Sequence, residues 1–175
     1  MMTAYLVWRG MSFNTIGIWR GVSSTIGLCG TLAFHYSMKR LKSLAVTGMW
    51  SIVLQFMSLS ISFASFFMSN DTLSTAMFIT GVCMSRVGLW AFDITITQLM
   101  QQFVHSNVRG RVGGVQKSLH AFFELTSYFL ALIFHETKDF FILVIAGYVS
   151  VCIAMLCFMF GIYFNKGISR LGSEV

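Results

Sequence analysis

Apolar residues run through this chain in five long stretches, broken by short polar joints. The stretches cover residues 15–36, 43–68, 75–104, 112–134 and 140–164. Each supplies the roughly 20 mostly apolar residues that an α-helix needs to cross a bilayer. The joints, 37–41, 69–73, 105–111 and 135–139, are short enough to link antiparallel neighbours. No period-two alternation persists, so strands of a membrane barrel are excluded. The pattern predicts an all-α membrane protein with about five transmembrane helices. Residues 1–11, with Thr3, Trp8, Arg9 and Gly10, are semi-polar and read as the exit of a preceding helix. Residues 12–175 then form the five-helix part.

Composition removes the alternatives. The chain is 56% hydrophobic and 10% charged, against about 25% charged in an ordinary soluble domain. A water-soluble globule, a disordered tail and a collagen-like chain are ruled out. The net charge of +6 would suggest nucleic acid if the basic residues shared one soluble face. They instead sit at the ends of apolar runs: Lys39, Arg40 and Lys42; Arg109, Arg111 and Lys117; Lys166 and Arg170. That is the positive-inside pattern, and it puts these segments on the cytosolic side. The other joints carry Asp71, Glu136 and Asp139 against Lys138, which fits the outer side. The expected partner is the lipid bilayer, with no nucleic acid. Cys29, Cys83, Cys152 and Cys157 lie inside apolar runs and read as buried free thiols, with no metal-site spacing among them.

Polar residues inside the spans carry the candidate chemistry, because ionisable groups are expensive there and by default mark a pathway, a partner charge or a gate. In the third span Arg86, Trp90, Asp93, Thr97 and Gln101 fall at offsets of four, three, four and four, on one helical face. Arg86 and Asp93 read equally as a charge pair holding helices in register and as a gate. In the fourth span Gln116, His120, Glu124 and Ser127 form a continuous stripe. His120 and Glu124 are one turn apart; an imidazole beside a carboxylate suits a borderline divalent metal or proton relay, and equally a hydrogen-bonded helix interface. Gly17 and Gly21 form a G-x-x-x-G pair that admits close approach of another helix. No nucleophile triad, phosphate-binding loop or zinc-protease motif occurs, so an enzyme is not expected.

Specific strings add to this. Residues 85–93, Ser-Arg-Val-Gly-Leu-Trp-Ala-Phe-Asp, with Thr97-Gln98-Leu99-Met100-Gln101 after them, closely resemble the signature of the ferroportin family, solute carrier family 40. So does the run from Arg109 to Ser118. Residues 2–6, 8–10 and 17–23 look most like the plant iron-regulated branch. The resemblance implies a major-facilitator fold of twelve helices in two halves, of which this chain matches the last five. It implies efflux of ferrous iron or a related divalent metal by alternating access, with the metal as transported substrate and no resident cofactor. It also implies a multi-pass protein of the plasma or vacuolar membrane, and a missing N-terminal half as partner. By position, Arg109 and Gly110 match the cytosolic gate, and Arg86 and Asp93 match the tenth-helix motif. The eleventh-helix histidine of animal members falls at Ser127, which leaves His120 as the candidate substitute. Three other readings stand beside it: a truncated, non-transporting interaction protein, a cobalt or nickel transporter of the same family, and a small self-assembling channel.

Overall fold

Serine opens two successive helices. Ser12 Oγ accepts the Thr15 amide at 3.3 Å and caps α1, Phe13–Leu41. Ser43 Oγ accepts the Val46 amide at 3.5 Å and caps α2, Leu44–Ala64. Each serine satisfies one of the amides that a helix start leaves unpaired. Lys42 makes the turn between them. It sits in the left-handed region at φ 50° and donates its amide to the Met38 carbonyl at 3.0 Å, closing α1 as a glycine commonly would. A 3-10 turn, Ser65–Phe67, leads to α3, Asp71–Phe103; α4, Ser106–Ile133, and α5, Phe140–Phe164, follow. The computed structural model describes Val7 and residues 10–133 and 140–164. Most of the segment read as a helix exit, the joint at 135–139 and the tail with Lys166 and Arg170 lie outside the described residues.

Three joints are shorter than the polar pattern suggests, and at 69–73 the helix already begins at Asp71. The segment 37–41 is helical, because Ser37 is buried and paired: its Oγ accepts the Trp50 indole N–H at 2.7 Å and lies 3.2 Å from Thr47 Oγ1. Its polarity serves a packing contact rather than a loop. Of the segment 105–111 only His105 stays outside a helix, with Arg109, Gly110 and Arg111 inside the first turns of α4. A single glycine costs a helix only about 1 kcal/mol, too little to break one so long.

Helix α3 is central. It packs against α2 on one side and α1 on another, and α5 lies along α2. The α2–α3 seam is built from small residues, as close helix packing in a membrane requires. A Cβ at Gly88 would lie 2.7 Å from the Ser51 carbonyl oxygen and from the Gln55 amide, and one at Gly81 would strike Ser62 Oγ. Seam hydroxyls find partners on their own helix, as Ser51 Oγ does on the Thr47 carbonyl at 2.7 Å, or across the seam, as Ser62 Oγ does on the Phe78 carbonyl at 3.2 Å. Among the described residues no buried side-chain polar atom lacks a partner. Aromatic rings hold α5: Tyr148 stacks on Phe56 and Phe63, at 5.3 and 5.4 Å between centroids, and its hydroxyl lies 3.0 Å from Ser60 Oγ.

Helix α4 stands apart. Among the described residues it shares no extended interface with another helix, and most of its described side chains, the stripe residues His120, Glu124 and Ser127 included, are exposed. Among the described residues three segments are long and apolar enough to cross a membrane: Leu44–Phe67, Thr72–Phe103 and Phe141–Phe164. The other two helices, α1 and α4, are as long but more polar, α1 through its Gly, Ser and Thr content and Arg20, α4 through Arg109, Arg111, Lys117, His120 and Glu124.

The cysteine expectation needs correction. Cys83 is buried, Cys152 half-buried, and Cys29 and Cys157 are exposed. The last two occupy helix faces that no other described helix covers, so their apolar sequence context did not translate into burial.

Candidate functional site

The third-span residues share one face of α3, as their spacing requires. Arg86, Trp90 and Gln101 are exposed, and half-buried Thr97 donates its hydroxyl to the Asp93 carbonyl at 2.9 Å. Among the described residues Arg86 and Asp93 form no ion pair; two turns separate them along the helix. Trp90 anchors the edge of this face against α1. A Cβ at Gly27 would lie 3.1 Å from the Trp90 indole nitrogen, and one at Gly30 would lie 2.7 Å from the Val87 carbonyl. Close approach on α1 thus falls at Gly27 and Gly30, whereas Gly17 and Gly21 face open space. Sequence reasoning missed this pair; its signal was the i, i+3 spacing of two small residues opposite the tryptophan motif.

At the α3–α4 elbow the structure brings together two residues that sequence singled out separately. Arg109, in the first turns of α4, donates Nη2 to the Gln101 carbonyl at 2.7 Å and to the Val104 carbonyl at 3.3 Å. The last carbonyls of a helix have no partner within it and carry the negative end of its dipole. A guanidinium suits them on both counts. The Arg109 side chain is therefore a brace across the elbow. Gly110 beside it faces open space, with nothing within 4 Å of where a Cβ would stand.

The stripe on α4 is open. His120, Glu124 and Ser127 are exposed. Ser127 Oγ donates to the Glu124 carbonyl at 2.7 Å, so its hydroxyl is engaged by its own helix. Glu124 Oε1 accepts the Tyr128 hydroxyl at 3.0 Å. Tyr128 was not among the residues singled out from sequence, although extending the stripe one turn past Glu124 reaches it. Among the described residues no three His, Cys, Asp or Glu side chains gather as a metal-ion set. His120 and Glu124 can offer two ligands, an imidazole nitrogen and a carboxylate oxygen; further ligands must come from water or from another part of the protein.

The sequence profile of the Ferroportin1 (FPN1) family matches residues 1–151. The chain belongs to the ferroportin family. Among its relatives, "Solute carrier family 40 member 1" of Arabidopsis thaliana is 38% identical over 163 residues, a match covering 93% of this chain and 31% of that protein. Crystal structures of a bacterial homologue of the iron transporter ferroportin match in fold in both the outward-facing and the inward-facing state. Their TM-scores are 0.86 and 0.84, each at 27% identity and covering 90% of this chain and 39% of theirs. The ferroportin-family chain described here thus spans about a third of the length of these relatives.

Proposed function

We propose that this chain forms the C-terminal part of a divalent-metal exporter of the ferroportin type, with ferrous iron as its substrate. The observation that carries this reading is α4: a long helix whose polar stripe runs from half-buried Gln116 to the exposed His120, Glu124 and Ser127, with no extended interface to another described helix. Exposing such a stripe to lipid is costly, and a second half of the transporter packed over α4 would enclose it as the wall of a polar cavity. The same covering lets the more polar α1 and α4 cross the bilayer beside the three more apolar segments, giving five spans in residues 12–175. Within the cavity His120 and Glu124 offer the cation an imidazole and a carboxylate, a donor pair equally suited to iron, cobalt and nickel. Arg86, Asp93, Gln101, Gln116 and Ser127 line the path, and Arg109 and Gly110 stand at its cytosolic mouth. The near-equal likeness to both states of the bacterial homologue supports a five-helix unit that moves as one body while the halves rock, as alternating access requires.

Metal efflux from sensitive yeast tests this. The chain is co-expressed with the N-terminal part of the Arabidopsis relative, and efflux of Fe²⁺ and Co²⁺ is followed. Efflux is expected only when both parts are present. His120→Ala and Glu124→Gln should each lower it by about tenfold or more at equal membrane abundance, the scale on which metal-site partners act. Unchanged efflux in both variants would remove the proposed ligands, and absent efflux from the intact pair would remove the transporter reading.

A further inference from the structure

Glu124 does not present a bare carboxylate. The Tyr128 hydroxyl donates to its Oε1 at 3.0 Å, and His120 lies one turn away in the other direction on the same stripe. Helical side chains lean towards the N-terminus, so Tyr128 reaches back to the Glu124 carboxylate, and His120 stands one turn before it on the same stripe. The phenol takes one acceptor position on Oε1. It leaves the second lone pair of that oxygen, and the whole of Oε2, for another partner. A carboxylate at the end of three rotatable bonds is otherwise free to swing, and a donor fixed one turn away restricts it. The hydroxyl also adds no charge, so it orients the group without competing for a cation. Outer hydrogen bonds of this kind set the orientation of metal-binding side chains and are worth roughly 10- to 100-fold in affinity.

We propose that Tyr128 is a positioning residue for a divalent first-row cation, holding Glu124 so that its free oxygen meets the ion on the face it shares with His120. The proposal rests on the reading of Glu124 as a metal-contacting residue. Tyr128 itself touches no metal.

Co²⁺ titration of the 175-residue chain, assembled in lipid nanodiscs with the N-terminal part of the Arabidopsis relative, tests it, with the visible d–d bands reporting coordination and circular dichroism reporting helix content. Removing only the hydroxyl, as Tyr128→Phe, should weaken Co²⁺ binding by about tenfold and shift the bands, with helix content unchanged. Glu124→Gln should abolish the bands, and adding Tyr128→Phe to it should change nothing further. If Glu124→Gln weakens binding while Tyr128→Phe matches the parent in affinity and spectrum, the positioning role is overturned and the Glu124 reading stands. Effects of the two changes that simply add would overturn it as well. If the parent assembly binds no Co²⁺, or its Glu124→Gln variant binds as tightly as the parent, the Glu124 reading falls and takes the proposal with it.

Discussion

Helices α2 and α4 are both drawn from stretches that look like membrane spans, yet one is locked and the other stands free. Along α2 the buried polar residues are small. Thr47, Ser51, Ser58 and Ser62 are all buried, and their hydroxyls return to backbone carbonyls or cross to the neighbouring helix. Along α4 the polar residues include the ionisable Arg109, Arg111, Lys117, His120 and Glu124, and apolar ones such as Phe122, Phe123 and Leu125 are exposed beside them. Small hydroxyls serve packing because they can be satisfied within one helix turn. An imidazole and a carboxylate cannot be satisfied that way, so they need solvent, a ligand or another protein surface. The two helices therefore differ in kind: the α2–α3 seam sets the shape, and α4 leaves its ionisable groups open to a partner.

That division can be broken from the side of the seam. Gly88→Leu should have the largest effect, because any Cβ there meets backbone at 2.7 Å. Overpacking of this kind costs about 1–3 kcal/mol or more, and a leucine adds three further carbons. Loss of cooperative thermal unfolding in detergent is the expected result, while a melting curve like the parent's would show that the seam is not close-packed. Ser37→Ala comes next. It strips the Trp50 indole and Thr47 of a partner, at about 1–3 kcal/mol for a polar group left unpaired. Replacing Trp50 by Phe in the same variant should return most of that loss.

The elbow sharpens the comparison, since it joins the two regions. Arg109→Met removes the brace on the last turn of α3 and should cost about 1 kcal/mol, the net worth of an ordinary hydrogen bond. Hydrogen exchange is expected to quicken at Gln101–Val104 and to stay unchanged at the seam. The smallest effect, and of opposite sign, is Gly17→Ala. With open space around it, the substitution should stabilise α1 by about 0.5–1 kcal/mol through helix propensity, measured as a small rise in melting temperature. A fall instead would place a neighbour at that glycine.

Much of the architecture was legible in the sequence, because length and hydropathy are local properties. Five apolar runs became five helices, and the spacing of Arg86, Asp93 and Gln101 put them on one face as expected. Local rules failed where a partner decided the outcome. Ser37 looked like the start of a loop and is a buried acceptor, because the indole that bonds it lies thirteen residues on. Gly17 and Gly21 carried the recognised close-packing motif, yet Gly27 and Gly30 make the contact, because Trp90 stands opposite them. The same limit applies to the cysteines, whose exposure depends on which face another helix covers. On α4 the stripe was evident in its spacing, but the tie between Tyr128 and Glu124 is a matter of rotamers, which spacing does not specify.

The sequence by itself determined the helical class, the basic and acidic ends of the spans, the family and the polar stripe on α4. Each of these follows from residue identity and from a period of about 3.6. Only the tertiary structure decided which glycines touch, that Arg109 braces the carbonyl end of α3, and that α4 is left uncovered by its neighbours. Those outcomes depend on which surfaces meet across long separations in the chain, and no local pattern encodes the meeting.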